Sequence, residues 1–203
     1  PAIGTGATMD YLGRTGLDAL KGADILKTAA DSYTSTIEYA ETGIAQSLRG
    51  MAQVIFKGLG TRVLYTSQGG YDTHANQVSV QTPLLSDLSA GIGDFFADLS
   101  EHDAADNVMM LVFTEFGRRV KDNGSGSDHG SGGGCYLIGQ PVKGGTLGDY
   151  PSLKEEDQLD GDLHFNVDFR SVYSTIVDKW LGLDAQTAIG GNYETLDFVR
   201  SNQ

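Results

Sequence analysis

The 203-residue chain contains a single cysteine, Cys135. No intrachain disulfide and no multi-cysteine zinc cluster can therefore form. Cys135 falls in a segment read as a strand, where an inert buried thiol is the expected state. Basic residues are scarce: 14 lysines and arginines stand against 27 aspartates and glutamates, a formal charge of -13. That balance repels phosphate backbones and anionic lipid headgroups and disfavours both nucleic acid and membrane insertion. No apolar run approaches the roughly 18 residues that a membrane span requires. The opening PAIGTGATMD has neither the basic segment nor the apolar stretch of a secretion signal. It also lacks an initiator methionine, and a start at Pro1 leads us to expect a processed or truncated product. Several chemical motifs are missing too. There is no HExxH and no GxSxG, GQPVKGGT lacks the lysine that a phosphate loop needs directly after its second glycine, and DNGSGSD carries glycines where a calcium loop needs ligands.

What is plentiful is glycine, 28 of 203 residues, roughly twice average usage, so loops are expected to be long or tightly bent. The length fits a single domain. Residues 1–40 carry a weak helical pattern through Leu12, Leu17, Leu20, Ile25 and Leu26. Ile44, Leu48, Met51, Val54 and Ile55 recur at helical spacing and stop at Gly58, which predicts an amphipathic helix over 43–57. TRVLYTS at 61–67 reads as a short buried strand. A second helix is expected to start with Thr82 as cap and Pro83 in its first turn, and to run along Leu84, Leu88, Ile92, Phe95 and Leu99 to about Ser100. NVMMLVFT at 107–114 has the continuous apolar character of a central parallel strand, CYLIG at 135–139 reads as another strand, and Val172, Tyr173, Ile176, Val177, Trp180 and Leu181 mark a last helix. This alternation predicts an α/β fold in which helices layer on both faces of a mostly parallel sheet.

In such a sheet, ligands gather beyond the carboxyl ends of the strands. Asp72 and His74 follow the first expected strand, Glu115, Arg118 and Arg119 follow the second, and Asp128 and His129 sit in the glycine-rich stretch beyond. Carboxylate oxygens and neutral imidazoles converging from separate loops are what a divalent cation requires. Each residue also has an ordinary structural explanation. Asp72 and Asp128 suit turns, and Glu115 can pair with Arg118 or Arg119 along a helix. His102 and His164 are expected at the surface.

GGYDTHANQ, FTEFGRR, SDHG, VKGG and DFRSVY, in this order, resemble a bacterial family known as domain of unknown function 1501, from about residue 45 onward. That family is similar to the alkaline phosphatase and sulfatase superfamily. The resemblance implies a three-layer α/β/α sandwich, here as the carboxyl-terminal portion of a longer protein, with residues 1–44 as a peripheral helical segment. It implies that Asp72, His74 and His129 ligate one metal, with Asp128 a fourth metal-site residue. Two departures stand out: the spacing Asp-x-His is shorter than the superfamily's, and Glu115-Phe116 occupies the place of a second-metal Asp-His pair.

The expected function is that of a metal-dependent hydrolase-like domain acting, in the full-length protein and not as this chain alone, on phosphate or sulfate esters of small molecules or glycans, with Glu115 as ligand or base and Arg118 as substrate clamp. Two histidines favour zinc or manganese over magnesium. The alternative is a non-catalytic exported binding or structural domain. The resemblance implies a periplasmic or extracellular location, and an incomplete sheet implies association through an exposed edge.

Overall fold

The computed structural model of the protein describes residues 6–31 and 33–200. The start at Pro1 and the side chains of Ile25 and Leu26 lie outside the described residues. The chain divides into two compact units, one of residues Pro1–Ser67 and Ala90–His102, the other of Gln68–Ser89 and Asp103–Gln203.

The first unit is helical. Helix α1 spans Ala7–Asp31, and Leu12, Leu17 and Leu20 are exposed on it. Helix α2, Gly43–Phe56, starts where Thr42 accepts a hydrogen bond from the Ala45 amide, and it buries Ile44, Leu48 and Val54 of the predicted stripe together with Ala45 and Ala52, while Met51 and Ile55 are half-buried. Helix α3 runs over Gln77–Glu101, and its second half belongs to this unit. Phe95 and Leu99 on that half join the core with Tyr39, and burial of Leu48 and Leu99 stabilises by about 2 kcal/mol each. Gly91 lets the two helix backbones approach: a Cβ there would lie 3.3 Å from the Cα of Ala45. Residues 61–67, expected as a buried strand, form none, and Val63 and Tyr65 are 70% and 75% exposed. Val63, Leu64 and Tyr65 form a short apolar run, but among the described residues no strand supplies the hydrogen bonds that would make it part of a sheet.

The second unit holds all the strands among the described residues. β1, Met110–Val112, pairs antiparallel with β4, Tyr136–Ile138, in the register Leu111 opposite Leu137. β2, Gly117–Asp122, pairs antiparallel with β3, Ser127–Gly130, with Arg118 opposite His129. Helix α4, Phe169–Thr175, begins at the Asp168 cap and passes into a π-helical turn over Ile176–Trp180, and α5 spans Ala185–Ile189. Val172 and Phe198 are buried in this unit, and the Leu196 amide donates to the buried Thr175 hydroxyl at 2.8 Å.

The mostly parallel three-layer α/β/α sandwich is therefore overturned by two separate two-stranded antiparallel sheets. A parallel neighbour for β1 would need a crossover, usually a helix of a dozen residues. Between β1 and β4 the chain instead makes the β2–β3 hairpin, so β4 returns in the antiparallel sense. The apolar run of 107–114 was misleading because continuous hydrophobicity reports coverage, not strand direction, and even Phe113 is 48% exposed. The helix expected from Thr82 starts five residues earlier. The Thr82 hydroxyl donates back to the Val78 carbonyl at 2.6 Å, a mid-helix habit, and Pro83 sits inside the helix.

Candidate metal centre

Hairpin β2–β3 and the loop that precedes α3 build one polar cluster within the second unit. The hairpin turn is set by Asn123, whose side-chain oxygen accepts from the Gly126 amide at 2.9 Å, and by Gly124, whose φ of 105° suits glycine. The turn places Asp128 and His129 on β3 instead of in an irregular loop. The same Asn123 reaches across with its amide nitrogen to the His74 carbonyl at 2.9 Å and to Asp128 Oδ1 at 3.3 Å. Gly126 permits this approach, since a Cβ there would lie 2.8 Å from the His74 carbonyl oxygen.

Asp72 Oδ1 lies 2.6 Å from His129 Nε2 and 3.1 Å from His74 Nε2. On its other side the His74 ring presents Nδ1 to Asp128 Oδ1 at 3.0 Å. The two imidazoles stand 4.9 Å apart, and Phe116 stacks on His129 at 3.9 Å with only 11° between the planes. Carboxylates at both nitrogens favour the charged ring: the hydrogen bond to Asp128, then the charge of Asp72, raises the His74 pKa above the usual imidazole value. The hydrogen bond from His129 holds the Asp72 carboxyl below its usual range, and that from His74 does the same for Asp128.

The residues expected at the site divide into groups. Asp72, His74 and His129 each turn one ligand atom inward, all within 4.8 Å of one another and all exposed. Asp128 stands behind His74, holding its Nδ1 so that Nε2 faces the centre. Arg118 faces inward as a brace: its guanidinium donates to the Thr73 carbonyl at 2.9 Å, to the Ser127 carbonyl at 2.5 Å and to the Tyr71 carbonyl at 2.6 Å. It ties the Asp72–His74 loop to β3. Arg119, one residue on, turns the other way to Asp162 at 3.2 Å and the Asp160 carbonyl, as strand alternation requires, so no helical pairing with Glu115 exists. Glu115 is exposed ahead of β2, outside the group of three ligand atoms. Cys135, expected to be buried in a strand, is exposed just before β4.

Three convergent donors of the type His2Asp, open to solvent on one side, suit zinc, manganese or ferrous ion, with free positions for water or substrate. A cation at about 2.0–2.1 Å from both Nε2 atoms requires the Asp72 carboxylate to swing aside. That side chain is 63% exposed and free to do so. The donor set therefore fits a single divalent cation.

Sequence reasoning missed the supporting polar groups. Gln81 donates to the Tyr71 carbonyl at 3.0 Å and to the Thr73 hydroxyl at 2.8 Å, and the Ser127 hydroxyl donates to Gln77 at 2.9 Å, so the first turns of α3 hold both loop and hairpin. The available signals were Asn123-Gly124 between two polar runs, a hairpin dipeptide, and Gln77 and Gln81 at an i, i+4 spacing.

The chain belongs to the family described as "Protein of unknown function (DUF1501)", which matches residues 15–195. The match begins within α1, earlier than the motifs alone indicate. Neither the curated proteins nor the solved structures gave a match to the chain. Among the described residues, no helix is long and apolar enough to cross a membrane.

Proposed function

We propose that this domain holds one divalent cation through Asp72, His74 and His129 and acts as a metal-dependent hydrolase-like centre on phosphate or sulfate esters. The observation that carries the reading is His74, fixed at Nδ1 by Asp128 while its Nε2 converges with His129 Nε2 on Asp72. A bound zinc or manganese ion supplies Lewis acidity toward an anionic ester or a water molecule. The chain's own residues orient and shield. Asp128 fixes the ring of His74, Phe116 covers one face of His129, and Arg118 keeps the Asp72–His74 loop against β3. A cleft of about 470 Å³ lined by Phe116, Val120, Leu153 and Leu163 adjoins the centre through Phe116 and offers room for the organic part of an ester.

A second reading, a metal-holding domain without turnover, is favoured by two observations. The guanidinium of Arg118 is occupied by backbone carbonyls, and the neighbouring Thr73 hydroxyl is buried and accepts from Gln81. Metal content after dialysis, calorimetric titration with zinc and manganese, and turnover of aryl phosphate and sulfate esters separate the readings. The hydrolase reading expects one cation per chain and turnover lost on chelation. Stoichiometric uptake without turnover supports the second, and no uptake by the native protein while His129→Ala behaves identically removes both.

A further inference from the structure

The first unit contains a charge pair of its own, a buried carboxylate beside a half-buried imidazole. Asp98 on α3 is fully buried. Its Oδ2 accepts hydrogen bonds from the hydroxyls of Tyr33 and Tyr39, while Oδ1 receives no hydrogen bond and lies 3.2 Å from His102 Nδ1. His102, just past the end of α3, meets only acceptors. Its Nδ1 is 2.9 Å from the Asp98 carbonyl, and its Nε2 is 3.0 Å from the Thr34 carbonyl. A neutral imidazole has one nitrogen without a proton, and here that lone pair would face an oxygen. Both positions are satisfied only when both nitrogens carry protons, so the geometry requires imidazolium. Its charge is also what balances the buried carboxylate, and an unpaired buried charge is expensive.

Asp98, Glu101 and His102 offer ligand atoms close enough for a cation, but this group differs from the centre on β3. The Asp98 carboxylate is pinned by two tyrosines and cannot swing aside, and a backbone carbonyl already lies on the Nδ1–H axis. A proton on each ring nitrogen satisfies these contacts with no side chain displaced.

The surroundings fasten one segment of chain. Phe56 of α2 stacks on the His102 ring at 4.1 Å, with Tyr33 at 6.0 Å, and Arg49 of α2 lies 5.9 Å from the Tyr33 ring centre. Glu101 accepts from the Thr36 amide at 3.1 Å and from the hydroxyls of Ser35 and Thr36 at 3.0 Å. Asp94 adds negative charge near Tyr39. Residues 33–39 are thus held on the end of α3 by one imidazolium and two carboxylates, with the Arg49 guanidinium a second cation beside Tyr33.

We propose that His102 and Asp98 form a proton-operated latch that fastens residues 33–39 to the end of α3 and loosens when His102 loses its proton. The direction is set by the native contacts. The hydrogen bonds to the Asp98 and Thr34 carbonyls, with the charges of Asp98 and Glu101, raise the His102 pKa. A group whose pKa is raised by folding stabilises fully below its unfolded value, near 6.5 for imidazole, and loses that contribution as pH rises through the folded value.

The test uses the intact protein in two measurements. Nitrogen NMR of the histidine rings at about pH 6 should show both nitrogens of His102 protonated. Hydrogen exchange of the peptide covering 33–39, corrected for intrinsic rate, should lose protection between about pH 6 and pH 8.5, by about tenfold for each unit by which folding raises the pKa. In His102→Gln, protection should be weaker and independent of pH over that range. A neutral His102 at pH 6, or protection in the native protein that stays unchanged across the range, overturns the latch. If the variant does not fold, the two measurements on the native protein still decide.

Discussion

Asp128 Oδ1 lies 3.0 Å from His74 Nδ1, on the far side of the ring from the Nε2 that meets Asp72. A carboxylate in that position fixes the ring and its tautomer and makes the opposite nitrogen a better donor. Asp128 therefore differs in kind from the three residues that face the centre. Asp128→Asn is expected to weaken zinc or manganese binding about 10–100-fold, whereas Asp72→Ala and His129→Ala should abolish it. Competition with a chromogenic chelator measures all three, and an Asp128→Asn protein that binds as tightly as the native chain would refute this assignment.

The same contacts fix a pH signature. In the cation-free protein, the raised pKa of His74 makes its contribution to stability largest below about 6.5, and that contribution is lost as pH rises through the folded value. The depressed carboxyls of Asp72 and Asp128 act in the opposite sense. They contribute above about pH 4 and lose that contribution as pH falls through their folded values. A cation must displace the proton at His74 Nε2, so its affinity should climb with pH through the same interval. The difference in Tm with and without zinc isolates this cluster from His102, and it should grow from pH 5.5 to about 8. A flat difference would exclude His74 as a ligand.

Much of this site could be read from residue types, yet for a reason that the fold does not support. Asp72, His74 and His129 were expected together because each was placed after a strand of one parallel sheet. They meet because β3 folds back on β2 and because Arg118 ties the preceding loop to that hairpin. Helix α2 was legible from its apolar spacing, since one buried stripe is a local property of the sequence. Strand partners are not local: neither 61–67 nor 107–114 states what will pair with it. His102, expected at the surface, is half-buried just past the end of α3, one turn beyond Asp98 and Leu99, which share a face of that helix with Phe95. A carboxylate on that apolar stripe, four residues before a histidine, was the available signal.

Gly126 marks where the hairpin and the loop touch. A Cβ there would lie 2.8 Å from the His74 carbonyl carbon and 3.0 Å from the Ala75 nitrogen, both backbone atoms with little freedom to yield. Gly126→Ala is expected to cost about 1–3 kcal/mol and to push His74 off its register with Asp128, weakening metal binding. Gly124→Ala is the control. Its φ of 105° makes alanine strained there, at about 1–2 kcal/mol, but a Cβ meets open space. Denaturant melts and metal titration should show both variants destabilised and only Gly126→Ala impaired in binding.

Arg118 decides between a clamp and a brace. A substrate clamp can be removed with little effect on the empty protein, and the loss appears in KM. The structure engages this guanidinium with the carbonyls of Tyr71, Thr73 and Ser127, and places its Cζ 5.1 Å from the Phe116 ring centre, so its fork holds the loop that carries Asp72 and His74. Removing it takes a charged donor from the Thr73 and Ser127 carbonyls, while the Tyr71 carbonyl keeps Gln81. Arg118→Met is expected to lower stability by on the order of 3 kcal/mol and to weaken metal binding with no substrate present. Arg118→Lys should recover little of either loss, because one ammonium cannot reproduce a planar fork aimed at three carbonyls. Thermal melts, metal titration and hydrogen exchange over residues 68–76 of the two variants test this. Variants with native stability, native metal affinity and unchanged loop protection would return Arg118 to the role of substrate clamp.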